Sequence, residues 1–313
     1  MILTVTPNAA LDVTWTVDRL VPRASHRVDQ VRERAGGKGI NVSRVLASLG
    51  HATAVTGLAG GPTGRLIRAD LRAAGLRDEL VPVSGDSRRT LTVVSREDGD
   101  ATVLNPAGPR IGPAEWDAFT AHYARLARGA DVVVLSGSLP PGLGPGTYAE
   151  LVRTAAAAGA RTVVDTSGPP LLAALDARPD VVKPNAAELA AVTGHDDAHR
   201  AAAELRERGA GAVVASLGPD GLLAHTPDGV WRAVPPRPLS GNPTGAGDAC
   251  VAALAAGLAA GAPWHRTLCE AVALSAAAVV APVAGDVDAS VHRRFRTTVT
   301  LVPLEEPDAP HVH

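Results

Sequence analysis

The chain has 313 residues, enough to bury a substantial core in one large α/β domain or two smaller ones. Its 30 basic and 32 acidic residues leave a net charge of −2, which excludes the basic surplus that non-specific nucleic-acid binding requires. Aromatics make up only 3%, so recognition by ring stacking has few candidates, and Cys250 and Cys269 form neither a CxxC pair nor a zinc spacing.

The opening Met1-Ile2-Leu3-Thr4-Val5 lacks the charged start of a signal peptide, and no apolar run reaches membrane-spanning length. The expectation is a protein of the reducing cytoplasm with no membrane contact, its two cysteines buried as thiols. In chain order, residues 3–6 read as a buried strand. Residues 12–34 alternate polar and apolar side chains without a helical period, as in Val13, Trp15 and Val17. A helix is predicted over 40–49, a strand over 53–57 and a helix over 64–74. Residues 89–104 alternate again. Then follow a helix (114–127), strand (132–136), helix (145–158), strands (162–165 and 181–183), helices (186–193 and 198–208) and a strand (212–216).

Alternation of short Val-rich runs with amphipathic helices predicts a mostly parallel sheet with helices on both faces. The two alternating stretches, about 12–35 and 86–105, read as a smaller antiparallel sheet placed over a cleft as a lid. The expected single domain is 1–304, with the lid discontinuous within it. Residues 305–313, with His311 and His313, read as a disordered tail.

The clearest motif is Asn242-Pro243-Thr244-Gly245-Ala246-Gly247-Asp248, which runs into an apolar helix over 249–258. A glycine-rich turn entering a helix leaves N–H groups without intrahelical partners, and the helix dipole adds positive potential. Both favour a phosphate, which small residues at 245, 246 and 247 admit close to the backbone. Asp248 falls in the first turn, where the dipole is expected to keep its carboxylate ionised at neutral pH. It serves either as the base that takes a proton from an attacking hydroxyl or as a cap of the helix.

Ala35-Gly36-Gly37-Lys38-Gly39-Ile40-Asn41-Val42 opens an earlier helix. It is not a Walker A loop, because Gly39 stands where Ser or Thr must hold magnesium. It suits an anionic or polyhydroxylated ligand, or a plain tight turn. In Lys183-Pro184-Asn185-Ala186-Ala187-Glu188, Asn185 and Glu188 share a helix face. They suit a magnesium that keeps most of its waters, or a capping box, and the two roles are compatible. Ser216-Leu217-Gly218-Pro219-Asp220-Gly221 is a strand-to-turn segment. Asp165 ends a strand, a position that faces the cleft in open α/β sheets, and Asp12 follows Thr6-Pro7-Asn8 in a place suited to sugar hydroxyls. Hydrolase, zinc-protease and dinucleotide-reductase signatures are absent from the sequence.

Together, Thr6-Pro7-Asn8-Ala9-Ala10-Leu11-Asp12, Gly36-Gly37-Lys38-Gly39-Ile40-Asn41, Lys183-Pro184-Asn185 with Glu188, and Gly245-Ala246-Gly247-Asp248 resemble the PfkB branch of the ribokinase family. The likeness runs over about residues 1–302 and is strongest to its 1-phosphofructokinase and tagatose-6-phosphate kinase subgroup. It implies a ribokinase-like α/β fold with a β lid and a homodimer formed through that lid. It also implies ATP, Mg2+ and phosphoryl transfer to a ketohexose phosphate. Fructose 1-phosphate is the first expectation; tagatose 6-phosphate and fructose 6-phosphate are the alternatives.

By the same resemblance, Asp248 is the base, and the N–H groups of Gly245, Ala246 and Gly247 form an anion hole. Asn185 and Glu188 organise magnesium through water, with Asp165 a weaker candidate. Lys183 reaches the ATP phosphates, and Ser216, Gly218, Gly221 and Thr244 line the nucleotide site. Asp12, Gly36, Gly37 and Asn41 hold sugar hydroxyls. Lys38 and Arg88 meet the phosphate already on the sugar, and Arg27 is a further candidate for it across a dimer interface. Ala9 replaces a usual proline, Arg89-Thr90 replaces a small or β-branched residue and an asparagine, and Thr244 replaces a valine. Outside the enzyme class, the rival reading is a non-catalytic phosphosugar sensor that keeps the fold.

Overall fold

The computed structural model describes residues 1–97 and 101–305. The tail expectation, with His311 and His313, lies outside the described residues apart from Glu305. The strands are β1 (Ile2–Thr6), β2 (Ala10–Val17), β3 (Gln30–Gly36), β4 (Thr53–Gly60), β5 (Arg77–Val83), β6 (Arg88–Ser95), β7 (Ala101–Leu104), β8 (Val132–Ser136), β9 (Arg161–Asp165), β10 (Val181–Val182), β11 (Val213–Ser216), β12 (Leu222–Thr226), β13 (Gly229–Val234) and β14 (Thr300–Leu304). The helices are α1 (Lys38–Ser48), α2 (Gly61–Ala73), α3 (Pro113–Ala127), α4 (Thr147–Ala157), α5 (Pro169–Leu175), α6 (Ala186–Thr193), α7 (Ala198–Glu207), α8 (Ala246–Ala260), α9 (Trp264–Val279) and α10 (Ala289–Phe295).

The large sheet has the order β14-β13-β12-β11-β10-β9-β8-β1-β4-β5. From β11 to β5 the pairings are parallel, and β12, β13 and β14 add antiparallel pairings at the other edge. Strands in a parallel sheet are covered on both faces, so their apolar residues run without alternation. Val133 and Leu135 face the helices α3 to α7, packing with Phe119, Tyr148 and Leu189. Their neighbours Val132 and Val134 face α1, α8 and α9, packing with Leu46, Val251 and Leu268. This two-sided burial is what made the central strands readable.

Sequence pattern missed the edges. β5 opens Arg77-Asp78-Glu79 and contains Pro82, and β14 contains Pro303. Charge and proline are tolerated there because an edge strand has one ladder fewer to satisfy.

The second sheet has the order β3-β2-β6-β7. Its hairpin pairings β2–β3 and β6–β7 are antiparallel, and its central pairing β2–β6 is parallel. Leu11, Val13 and Leu91 pack on Ile67 and Leu71 of α2, which seats the lid on the core. The other face, with Asp12, Thr14, Thr90 and Thr92, looks into the cleft.

Candidate active site

Between the lid and the carboxyl ends of β1, β8, β9 and β10 lies a cleft of about 1460 Å3. This is where open α/β sheets present ligands, because the strand ends and following loops converge there. Thr6, Ser136, Asp165 and Lys183 line it from the sheet, Asp12 and Arg88 from the lid, and Gly247 and Asp248 from α8.

Gly245 precedes α8 with φ 92°, a left-handed conformation that glycine adopts freely. The space is also closed to a side chain, since a Cβ there would stand 2.9 Å from Ala284 Cα. Among the described residues the N–H groups of Gly245 and Gly247 have no acceptor within the chain, so they stay open to an anion. The Ala246 N–H does not: it donates to the Pro243 carbonyl at 3.1 Å, closing the turn. The expected anion hole therefore loses its middle donor.

Asp248 is 7% exposed in the first turn of α8. Its Oδ2 accepts a hydrogen bond from Asn41 Nδ2 at 2.8 Å. Burial raises its pKa to about 7, and nearby Asp165 adds to the rise; Asn41, Lys38 and Lys183 oppose it. The expectation that the helix dipole keeps Asp248 ionised is thus corrected. Desolvation and a second carboxylate outweigh the dipole, and the group titrates near neutrality, where a general base is most effective.

Asp165, 1% exposed at the end of β9, is the hub of the site's charges. Its Oδ1 accepts from Lys38 Nζ at 3.0 Å and lies 3.5 Å from Lys183 Nζ, which is itself buried. Burial pulls the Lys38 pKa down, but Asp165, Asp248 and Glu188 outweigh it and the net shift is upward. Lys38 stays cationic. It also stands among the carboxylates beside Asp248, not out on the lid with Arg88, which changes the reading that it meets the phosphate already on the sugar. Both ammonium groups engage Oδ1, which makes Asp165 their charge partner; among the described residues Oδ2 is buried without a hydrogen-bond partner, which keeps the weaker metal candidacy open.

On the lid side, Asp12 is shaped by its neighbours. A Cβ on Gly36 would fall 1.9 Å from Asp12 Oδ2, so the carboxylate occupies the space a side chain would need. Burial raises the Asp12 pKa, against Arg88, Thr90, Arg34 and Arg44. Arg88 donates to the Asn8 carbonyl at 3.2 Å and to Thr90 Oγ1 at 3.2 Å, which leaves guanidinium N–H groups for a ligand. Gly37, Asn41, Ser216 and Thr244 also line the cleft.

Three candidates sit elsewhere. Arg27 is exposed on the loop between β2 and β3 and does not line the cleft of its own chain. Gly218 is exposed on the short turn after β11, outside the cleft lining. Gly221, with φ 85° and packed on the Ala233 carbonyl, serves the turn into β12. Asn185 and Glu188 form a reciprocal capping box at the start of α6: Asn185 Oδ1 accepts from the Glu188 N–H and Glu188 Oε2 from the Asn185 N–H, both at 2.8 Å. Among the described residues there is no cluster of three or more His, Cys, Asp or Glu side chains fit to hold a metal.

Sequence reading missed Asn8, Thr90 and Arg34. Asn8 Nδ2 donates to the Ala107 carbonyl at 2.9 Å and to Ser138 Oγ at 3.2 Å, bracing the cleft's far wall. Its place beside Asp12 in Thr6-Pro7-Asn8 was the available signal.

The chain matches the model of the pfkB family carbohydrate kinases over residues 6–288. It is 44% identical over 265 residues to the 1-phosphofructokinase of Xanthomonas campestris pv. campestris, covering 82% of this chain and 83% of that protein. It is 42% identical over 259 residues to the 1-phosphofructokinase of Rhodobacter capsulatus, covering 81% and 82%. Among solved structures, phosphofructokinase-2 from Escherichia coli in complex with potassium superposes with a TM-score of 0.89 at 29% identity, covering 95% of this chain and 98% of that one.

Proposed function

The chain belongs to the pfkB family of carbohydrate kinases, and from that premise we propose that it phosphorylates fructose 1-phosphate with ATP to give fructose 1,6-bisphosphate. The observation that carries the reading is the pairing of a buried carboxylate that titrates near neutrality, Asp248, with a cationic lid residue, Arg88, in one cleft. The two curated relatives, both named 1-phosphofructokinases, support the choice of substrate.

In this reading Arg88 and Asp12 hold the sugar phosphate so that its free primary hydroxyl meets Asp248. Asp248 takes the hydroxyl proton as the oxygen bonds to the γ-phosphorus, and the bond from that phosphorus to the ADP oxygen breaks. Asn41 orients the carboxylate. Open N–H groups at Gly245 and Gly247, with Lys38 and Lys183, oppose the charge on the transferring group. Thr244 and Ser216 flank the nucleotide. Magnesium fits this site only in the form that keeps most of its waters and binds chiefly to phosphate. Glu188 has one carboxylate oxygen left by the capping box, and with Asn185 it would hold such an ion through water. When bound, it neutralises phosphate charge.

A panel of fructose 1-phosphate, fructose 6-phosphate, tagatose 6-phosphate and fructose, read as ADP released, tests the substrate. Fructose 1-phosphate is expected to give the highest kcat/KM; a preference for unphosphorylated fructose sinks the reading. Arg88→Ala is expected to raise KM for the sugar phosphate about tenfold or more, the worth of a charge-assisted hydrogen bond, while KM for ATP holds.

The reading extends to a homodimer formed through the lid. Trp15, Val31 and Leu104 share the lid face turned away from the cleft and are 37%, 58% and 55% exposed. An apolar face of that kind suits a second copy. Light scattering is expected to give a dimer mass that Trp15→Glu reduces to a monomer; a monomeric parent protein rules the dimer out.

A further inference from the structure

Arg34 stands on β3 just before the glycine turn and reaches across the mouth of the cleft. Its Nη2 donates to Asp286 Oδ1 at 2.7 Å and its Nη1 to the Ala284 carbonyl at 3.2 Å. Two contacts from one planar guanidinium fix orientation as well as distance.

The receiving loop, 282–286, is packed directly under the phosphoryl end of the site. Ala284 is the residue that closes the space at Gly245, and a Cβ on Gly285 would lie 3.3 Å from Asn41 Cα and 3.0 Å from Arg44 Cδ. The same loop therefore touches the anion turn and the residue that orients Asp248. The next lid residue is anchored too. The Ala35 N–H donates to Asp70 Oδ2 at 2.9 Å, and Asp70 pairs with Arg44, which is 8% exposed. Across β2–β3, Arg34 stands opposite Asp12. A single side chain thus connects the acceptor-binding strand with the turn that receives the transferring phosphoryl group, and the transfer chemistry itself uses neither Arg34 nor Asp286.

We propose that Arg34 and Asp286 are positioning residues: their pair latches the lid hairpin to the 282–286 loop and sets the distance between the bound acceptor and Asp248. The inference rests on the kinase reading. It gives the lid a defined seat in each turnover and predicts that opening at this edge breaks both contacts of the Arg34 guanidinium. Arg34 is 25% and Asp286 42% exposed at the side chain, so the latch is screened by salt and is weak enough to break.

The test is a double-mutant cycle of Arg34→Gln, Asp286→Asn and both together. Each single substitution is expected to raise KM for fructose 1-phosphate about fivefold and to change KM for ATP by less than about twofold, and the double variant is expected to match the worse single, as coupled partners do. Amide hydrogen exchange at position 34 and at Ala35 is expected to speed up in both single variants. Loss of a direct substrate contact would not produce that change in the ligand-free protein. Effects on KM that multiply in the double variant, or unchanged exchange in Asp286→Asn, overturn the latch. Should Arg34→Gln fail to fold, Asp286→Asn decides alone: an unchanged KM for fructose 1-phosphate, or unchanged exchange at Ala35, overturns the latch. Wild-type turnover is recorded in the same series: its absence overturns the kinase reading, whereas normal turnover with multiplying singles overturns the latch alone.

Discussion

Asp248→Asn is expected to lower kcat by at least about a hundredfold, the usual contribution of a general base, while calorimetry still shows ATP binding. The amide keeps the shape of the carboxylate and can still meet Asn41, so the start of α8 should be undisturbed. What it cannot do is accept the hydroxyl proton. Near-normal turnover in this variant would remove Asp248 from the chemistry.

The wild-type enzyme should carry the same group's titration in its rates. A base must be ionised to work, so kcat/KM with both substrates well below saturation is expected to rise with pH and level off above about 7. Stability should move the other way. The folded-state pKa lies above the ordinary 3.8, so protonated Asp248 contributes stability that is intact below that value and is lost as pH rises through about 7. The Asn variant, which cannot ionise, should therefore gain Tm relative to wild type across that window and keep a constant lead above it. A buried carboxylate that costs the fold stability and is the base of the proposed reaction fits the usual conflict between stability and function.

How much of this was legible in the chain follows from the range of the interactions. Val132–Ser136 could be read as a central strand because both of its faces are apolar, a local property. The glycine turn before Asp248 could be read because the orphan donors of a helix start are local as well. The titration of Asp248 could not. It depends first on burial and then on Asp165 and Lys38, which the fold brings in from distant parts of the chain, and a sequence window holds only the helix dipole. The engaged N–H of Ala246 depends on how the turn closes on Pro243, which motif likeness does not specify. Arg27 lies off the cleft of its own chain, and its role was hard to place for a related reason: a charge on a lid loop can be assigned to a site only once the direction of the loop is known. The pair of Arg34 with Asp286 joins the first strands to the end of the fold and left no local mark.

Asp165→Asn tests the charge arrangement as a whole. Asp165 is 1% exposed and neutralises Lys38 at 3.0 Å and Lys183 at 3.5 Å, and Lys183 is 3% exposed. Removing one partner from a buried charge pair leaves the other uncompensated, which costs roughly 3 kcal/mol of stability or more. Relief of the repulsion between Asp165 and Asp248 offsets part of that loss. Desolvated Lys183 cannot make up the rest from water, so the net effect remains a loss, to be read by urea unfolding at pH 8. The rate profile should shift in a definite direction. With the neighbouring negative charge gone and both lysines still cationic, Asp248 becomes easier to ionise, so the acidic limb of kcat/KM is expected to move below its wild-type position near pH 7. A variant less stable than wild type but with an unmoved limb would mean that burial alone sets the Asp248 titration. An unchanged unfolding free energy would mean that the two lysines do not depend on Asp165. Loss of stability together with a displaced limb is the outcome that makes one carboxylate the counter-ion of the phosphate-facing lysines and the reason the other serves as a base near neutral pH.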